Sequence, residues 1–328
     1  MQVGIDLGGT KIEAAVLDEQ GHFRFRERLP TPRNDYPATL QTIRSLVRSA
    51  EAALGTACVR IGVGHPGSTN PLDGRLRNAN STCLNGQTLQ VDLEALLRRP
   101  VSLANDADCL ALSEATDGAA RGFGTVFGVI LGTGVGGGWV VNGQLRQGPN
   151  RLAGEWGHNP LPIASLEEFP GPFCYCGKQG CIEAWLSGPA LLADYQHATT
   201  DTTMTDSPAL ISAALLGNAD ARSALSRHTQ RLARALATMI NACDPDAIVL
   251  GGGVAQRPNL IDDLSAVLPR YVFLPSGTPL RTELLLPLFG DSSGVRGAAR
   301  LFNTPADRLP QPNVRHPPHD RASYRDPH

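Results

Sequence analysis

Three of the chain's seven cysteines lie within eight residues, in the stretch CYCGKQGC at 174–181. Such a group of thiols could form a disulfide, a redox pair or a metal site. Cys-x-Cys is not the redox Cys-x-x-Cys pattern, and in a cytoplasmic protein, which we expect here, thiols stay reduced. His158 completes a set of four with Cys174, Cys176 and Cys181. Four nitrogen and sulfur ligands fill a tetrahedral shell, so we predict a structural zinc ion.

A second group of residues belongs to glycine-rich turns that could hold phosphate. VGIDLGGTKIEAAVLD (3–18) and FGVILGTGVGGGWVVNG (127–143) each predict a strand, a glycine turn and a second strand, and AIVLGGG (247–253) is a third strand that ends in glycines. Gly-x-Gly-x-x-Gly is present but opens a β-like segment, whereas a dinucleotide site needs a helix there. Backbone N–H groups of such turns can face a phosphate. The alternative for a single turn is a plain hairpin.

In the first turn, Asp6 could hold a hydrated Mg²⁺ ion, because this ion prefers a carboxylate together with waters and phosphates. The donors that follow it are Gly8, Gly9, Thr10 and Lys11.

Acidic residues in two further stretches could act on a substrate. LANDAD (103–108) places Asn105 and Asp106 where a strand becomes a helix, and Asp106 could accept the proton of an attacking hydroxyl. The alternative is a helix N-cap, for which Asp is a preferred residue. Glu155 and His158 are three residues apart and could line one turn.

The elements that must position these residues follow from length and periodicity. A chain of 328 residues predicts two α/β domains, with strands duplicated between the two halves. Helical spacing covers 38–54 and 219–242, a strand covers 59–67, and 100–115 is a strand followed by a helix. Residues 303–328, rich in Pro, Arg, His and Asp, predict a disordered tail.

Charge and hydropathy exclude several classes of protein. The net charge of −2 gives no basis for binding nucleic acid or a membrane surface. No apolar run approaches the roughly 18 residues of a membrane span, and the N-terminus does not resemble a signal peptide. We therefore expect a cytoplasmic protein. The other four cysteines, Cys58, Cys83, Cys109 and Cys243, lie singly in apolar contexts and are predicted to be buried.

The motifs DLGGTK, LANDAD, LGTGVGGG, GEWGHNP, CYCGKQGC and GGG occur in the order found in ROK-family sugar kinases, which the chain resembles over residues 1–302. The sequence at 78–86, 154–162 and 290–299 is most similar to the bacterial fructokinase branch. The chain departs from the family at Asp108, where relatives often have Asn, and at Cys83, where they often have an aromatic residue.

The resemblance implies an actin-like ATPase (ribonuclease H-like) α/β fold, with two domains around a central cleft and an inserted structural zinc site. The expected boundaries are 1–117 plus about 290–302 for the first domain and 118–289 for the second, with the zinc segment at 158–181. By family pattern Asp106 is the catalytic base. The residues implied to bind the sugar are Asn80, Asn105, Asp106, Glu155, His158 and Glu183, and those implied to bind MgATP are the first turn with Gly132, Thr133, Gly134, Gly251, Gly252 and Gly253.

The activity that this implies is ATP-dependent phosphorylation of D-fructose at the 6-hydroxyl, by a homodimer. The alternatives are a glucokinase or an N-acetylhexosamine kinase of the same family. A sugar-responsive transcription repressor is a more distant alternative, since the nucleotide motif begins at residue 6 and the chain has no basic stripe.

Overall fold

Two five-stranded mixed sheets form the framework of the chain, in a computed structural model that describes residues 1–275 and 277–302. The predicted tail at 303–328 lies outside the described residues. The strands are β1 (Gln2–Leu7), β2 (Lys11–Leu17), β3 (Phe23–Pro30), β4 (Arg60–His65), β5 (Ser68–Thr69), β6 (Leu76–Arg77), β7 (Val101–Asn105), β8 (Thr125–Leu131), β9 (Val135–Val141), β10 (Gln144–Leu145), β11 (Ala247–Gly251) and β12 (Glu283–Leu285).

The two sheets repeat one topology. The first has the order β3-β2-β1-β4-β7 and the second the order β10-β9-β8-β11-β12. In each, a hairpin supplies the antiparallel half, and β1-β4-β7 or β8-β11-β12 supplies the parallel half. The duplication predicted from the two strand–turn–strand segments is confirmed. Because the loops at the carboxyl ends of parallel strands lie on one edge of a sheet, they can converge on a common site.

Helices cover these sheets as the periodicity predicts. The helices are α1 (Tyr36–Leu54), α2 (Leu89–Leu97), α3 (Asp106–Thr116), α4 (Ile182–Leu186), α5 (Gly188–Thr199), α6 (Ser207–Leu215), α7 (Ala219–Cys243), α8 (Leu260–Val267) and α9 (Ser293–Ala298). Helix α1 begins where the Asp35 side chain accepts a hydrogen bond from the N–H of Ala38 at 2.9 Å. It buries Ile43, Leu46 and Val47 on one face, as expected for an amphipathic helix.

Two helices, α3 and α9, lie between the sheets and approach them without intervening side chains. A Cβ on Gly4 of β1 or Gly62 of β4 would overlap backbone oxygens of α9, and one on Gly138 of β9 would overlap α3. Gly297 of α9 faces the backbone of Cys109 on α3 in the same way. The first sheet, α9, α3 and the second sheet therefore stack with their backbones in direct contact, which only glycine permits at these positions.

The segment around α9 packs on β1 and β4 of the first sheet, although it follows the second sheet in the chain. This packing supports grouping about 290–302 with 1–117, and the exact domain boundaries stay a prediction. Within the described residues, no helix is long and apolar enough to cross a membrane. Two predictions of burial are wrong: Cys83 is only partly buried, because it lies in a short helical turn that lines a cavity, and Cys243 is exposed as the last residue of α7.

Candidate active site

A cleft of about 620 Å³ brings together half of the candidate site residues predicted from the sequence. Its walls come from the ends of β7, β8 and β9, from the segment around His158 and from a short hairpin at 172–180, the hairpin of the cysteines. The predicted site residues that line it are Asn80, Asn105, Asp106, Gly132, Thr133, Gly134, Glu155, His158, Cys174 and Glu183.

Asn105 and Asp106 occupy the junction between β7 and α3. The Asn105 side chain caps the helix, accepting from the N–H of Ala107 at 2.8 Å, and its amide donates to the carbonyl of Gly67 at 2.8 Å. The Asp106 carboxylate accepts from the same Ala107 N–H at 2.8 Å. The capping role that was the alternative for Asp106 thus belongs mainly to Asn105. Asp106 is left at the first helical position with its carboxylate in the cleft.

Burial governs the protonation of the two acids predicted to act on phosphate transfer. Burial raises the pKa of Asp106 to about 6; the Ala107 N–H opposes this shift and the negative charge of Glu155 adds to it. Burial, followed by the charges of Asp106 and Glu13, raises the pKa of Asp6 to about 7. A buried carboxylate whose charge is disfavoured in this way fits a site for a cation such as Mg²⁺.

The first glycine turn joins β1 to β2. The N–H of Gly8 donates to the carbonyl of Lys11 at 3.0 Å, and Thr31 donates to the carbonyl of Gly8 at 2.7 Å. Gly9 and Thr10 line a cavity of about 380 Å³ that shares Asn80 with the main cleft. The Lys11 ammonium lies 3.8 Å from Asp291 and is partly exposed. Lys11 is not among the residues that line either of these two cavities.

Glu183 contacts the second glycine turn, between β8 and β9. The N–H of Val135 donates to Glu183 Oε2 at 2.9 Å, and a Cβ on Gly134 would lie 2.6 Å from the same oxygen. The carbonyl of Gly132 accepts from the N–H of Gly188 at 2.7 Å. Glycine at 134 thus lets a carboxylate contact the turn directly.

The third run of glycines does not line the cleft. Gly251 ends β11 and packs on Leu110, while Gly252, at φ +89°, fits against the carbonyl of Leu131 just before the second turn. Gly253 has open space around its Cβ position. These glycines lie behind the Gly132 turn, so their predicted contact with nucleotide stays a prediction.

His158, Cys174, Cys176 and Cys181 converge, with their ligand atoms all within 4.8 Å of one another. Sγ of Cys174 is 3.6 Å from Nδ1 of His158, and Sγ of Cys176 is 3.6 Å from Sγ of Cys181. Zinc bonds of about 2.0 Å to nitrogen and 2.3 Å to sulfur place neighbouring tetrahedral ligands at such separations. The three sulfurs and one imidazole therefore fit one zinc ion in both spacing and chemistry.

Two residues at the site went unnoticed in the sequence. Tyr175, between two of the cysteines, lines the cleft and lies 3.2 Å through its hydroxyl from His158 Nε2. Gly294, in the last segment of the fold, places its backbone against the Asp6 carboxylate, about 3.0 Å from Oδ2 to a Cβ built there. An aromatic residue between two predicted metal ligands was a signal for Tyr175, whereas the position of Gly294 depends on a contact between distant parts of the chain.

Comparison with known proteins decides the family. The ROK family profile matches residues 2–304. The chain belongs to the ROK family. It is 40% identical over 306 residues to the N-acetyl-D-glucosamine kinase of Yersinia pseudotuberculosis serotype O:1b (strain IP 31758). This match covers 92% of this chain and 98% of that relative.

Solved structures agree with this assignment. The ROK hexokinase of Thermus thermophilus superposes with a TM-score of 0.79 at 31% identity, over 90% of this chain and 96% of that one. A ROK glucokinase from Streptomyces griseus, solved with glucose and AMPPNP, gives a TM-score of 0.76 at 28% identity, over 92% and 98%. The predicted actin-like ATPase α/β fold and the sugar-kinase class are confirmed. The fructokinase branch is not supported by these relatives, which are kinases of N-acetyl-D-glucosamine and other hexoses.

Proposed function

We propose that this ROK sugar kinase transfers the γ-phosphoryl group of ATP to the 6-hydroxyl of a hexose, with Asp106 as the general base. The observation that carries the proposal is the position of Asp106: its carboxylate lies in the cleft at the start of α3, and its pKa of about 6 leaves it ionised at neutral pH. An ionised carboxylate in a partly desolvated site accepts a proton from a hydroxyl as that hydroxyl attacks.

The nucleotide side of the cleft consists of the two glycine turns. Backbone N–H groups around Gly8–Thr10 and Gly132–Gly134 are the candidates for holding the phosphates. Asp6 would hold Mg²⁺ through water, and when bound this ion neutralises negative charge on the transferring phosphoryl group. Lys11 would add charge from the rim, and Gly251–Gly253 would support the second turn from behind.

The sugar side consists of polar groups from both halves of the chain. Asn80 and Asn105 belong to the first half, and Glu155, His158 and Glu183 to the second. Each can donate to or accept from a sugar hydroxyl. Cys174, Cys176, Cys181 and His158 would hold the structural zinc ion, which stiffens the segment that carries His158.

Two sugars are candidates, and different observations favour them. N-acetyl-D-glucosamine is favoured by the comparisons, since a kinase of this sugar is 40% identical over nearly the whole chain. D-fructose is favoured by the amino-acid sequence at 78–86, 154–162 and 290–299, which is similar to that of the fructokinase branch. Cys83 stands where relatives often carry an aromatic residue, so these short segments are weaker evidence about the sugar than identity over nearly the whole chain. We therefore place N-acetyl-D-glucosamine first.

The experiment is ADP release with MgATP and each of N-acetyl-D-glucosamine, fructose, glucose and mannose, for the wild type and Asp106→Asn. We expect Asp106→Asn to lower kcat by roughly 10³-fold, within the range for loss of a general base. Sugar binding, measured by calorimetry, should persist. Asp262→Asn, an exposed acid at the start of α8, is the control. Near-normal turnover by Asp106→Asn would remove Asp106 from its role, and no ADP with any sugar would contradict the kinase proposal.

A further inference from the structure

Glu114, near the end of α3, is a fully buried carboxylate outside the cleft. Three close donors converge on it: the Ser293 hydroxyl at 2.7 Å, the N–H of Leu288 at 2.9 Å and the N–H of Ala119 at 2.8 Å. The Ser293 hydroxyl also lies 3.0 Å from the carbonyl of Gly290, but the closer, charged acceptor is favoured. A buried carboxylate needs such partners, because a buried charge without hydrogen bonds is costly.

These donors belong to both places where the chain passes between the two halves of the fold, in the part that the structure describes. The first crossing, 117–124, joins α3 to β8 and contains Ala119. The second crossing, 286–292, joins β12 to α9 and contains Leu288. Ser293 follows it as the first residue of α9. One carboxylate therefore holds both crossings and the start of α9 in a single arrangement.

The start of α9 lies against the residue that we propose for magnesium. A Cβ built on Gly294 would lie 3.0 Å from Oδ2 and 3.4 Å from Oδ1 of Asp6, so the backbone at this position covers one face of the carboxylate. The residue before Gly294 is Ser293, which donates to Glu114. The hydrogen bond to Glu114 is thus one residue away from the contact with Asp6.

Ser292 ties the same segment to the strands around Asp6. Its hydroxyl accepts from Arg26 Nη2 at 2.8 Å, and Nε of Arg26 donates to Glu13 on β2. Glu13 is the residue that pairs with Asp6 in the register of β1 and β2. The segment is therefore fixed on two sides where it covers Asp6.

We propose that Glu114 is a positioning residue for the metal–nucleotide, a role that rests on the proposed function of Asp6. A carboxylate can hold hydrated Mg²⁺ only on the face that is left open, so the place of the Gly294 backbone decides where the ion and its phosphates lie. Partners behind a metal-binding group orient that group in the same way. Without the hydrogen bond between Glu114 and Ser293, the start of α9 shifts, and Asp6 loses its fixed orientation.

The sugar side of the cleft does not depend on this hydrogen bond. At the other end of α3, the Asn105 side chain is held by the carbonyl of Gly67 and the N–H of Ala107. Loss of the contact between Glu114 and Ser293 should therefore weaken binding of the metal–nucleotide and leave binding of the sugar in place. A purely structural role would weaken both ligands alike.

The experiment measures three Kd values by calorimetry: for ADP with Mg²⁺, for ADP with EDTA, and for the hexose that the wild type phosphorylates best. Ser293→Ala should weaken Mg²⁺–ADP binding by about tenfold, the scale of one lost hydrogen bond to a charged group, and leave the other two values within about twofold. Glu114→Gln should have a larger effect, because its amide group turns a donor toward donors. Hydrogen exchange of peptides covering 286–294 should become faster in both variants.

Ser212→Ala is the matched control, since the Ser212 hydroxyl also bonds within a helix, to the carbonyl of Pro208 at 2.9 Å, and all three Kd values should stay unchanged. If Glu114→Gln does not fold, Ser293→Ala carries the test. Unchanged Mg²⁺–ADP binding in Ser293→Ala, or equal weakening of nucleotide and sugar, overturns the inference and leaves the kinase proposal intact.

Failure of the proposed function would look different. A wild type that binds Mg²⁺–ADP but turns over no sugar counts against the kinase proposal, and the nucleotide Kd values still decide the role of Glu114. A wild type that binds no Mg²⁺–ADP overturns both.

Discussion

Asp108 is an acid two residues after Asp106 whose Oδ1 is buried and has no hydrogen-bond partner among the described residues. It lines a small cavity of about 40 Å³, together with His65, Arg146 and Arg151. Burial, and then the charge of Asp106, raise the pKa of Asp108 to about 8, against the smaller effect of Arg151. Asp108 lies in the first turn of α3, but its side chain is directed inward and is protonated at neutral pH.

Replacing Asp108 by Asn should stabilise the protein, and more so at higher pH. Because the folded pKa is raised from 3.8 to about 8, the folded state binds the extra proton between these values, and stability falls as pH rises through this window. The variant removes this loss, which is on the order of 5 kcal/mol near pH 8. Urea unfolding of both proteins at pH 5 and pH 8 measures it. A difference between the two that does not grow with pH would contradict the explanation.

The residues that could be predicted from sequence are those whose chemistry is local. Asp106 follows from a strand that turns into a helix, and the Cys/His cluster follows from three cysteines within eight residues and a nearby histidine. Gly294 could not be found in this way, because its role depends on contact with Asp6, which lies near the other end of the chain. The inward direction of Asp108 likewise depends on packing between β7, α3 and the loop after β10.

At the scale of elements, the backbone contact between α9 and α3 should tolerate no side chain. Gly297→Ala places a Cβ onto the carbonyl of Cys109, and since both groups belong to helix backbones, neither can move alone. We expect a loss of about 3 kcal/mol or more, in spite of the better helix propensity of Ala. Gly148→Ala is the control, since its Cβ meets no atom within 4 Å. Equal urea midpoints for the two variants would show that the helices can separate without cost.

The hairpin of the cysteines should depend on its metal. Cys176→Ser removes one of four ligands, so we expect zinc content to fall from about one ion per chain and the temperature of unfolding to drop, as when a structural zinc site loses a ligand. Cys243→Ser is matched to it, because Cys243 is also exposed but lies outside the cluster. Metal analysis and calorimetry decide the matter. Full zinc content in Cys176→Ser, or none in the wild type, would refute the zinc site.

For the whole molecule, the two-sheet plan could be predicted from sequence because the same strand–turn–strand signal occurs twice. The way in which the two halves are joined could not be predicted from the sequence. The stack of α9 and α3 between the sheets depends on glycines in β1, β4 and β9 that a periodicity analysis treats as weak strand positions. The preferred sugar could not be predicted from the sequence either, because segments far apart in the chain form the pocket that selects it. The predicted homodimer is not tested by a single chain and stays a prediction.

Acid should destabilise the whole fold through His228, which is buried at the centre of α7. Its Nε2 lies 3.0 Å from the carbonyl of Leu186, and burial, together with the smaller effects of Arg257 and Arg231, lowers its pKa to about 4. The unfolded state therefore binds a proton first as pH falls from 6.5 to 4, at a cost of about 3 kcal/mol by the end of this window. Urea midpoints from pH 7 to pH 4 should fall less steeply for His228→Gln, and parallel curves would exclude His228 as a cause.

The hairpin at 172–180 is joined to the rest of the chain by its cysteine cluster, by a few backbone hydrogen bonds such as that from the N–H of Leu161 to Gly180, and by the Tyr175–His158 contact. Asp106 and both glycine turns lie on other elements. Variants of this hairpin that keep both cysteines and randomise residue 175 can therefore be made while Asp106 and both glycine turns, the proposed machinery of phosphate transfer, stay unchanged. A library of variants confined to this short segment is therefore a practical starting point for engineering kinases that phosphorylate unnatural sugars.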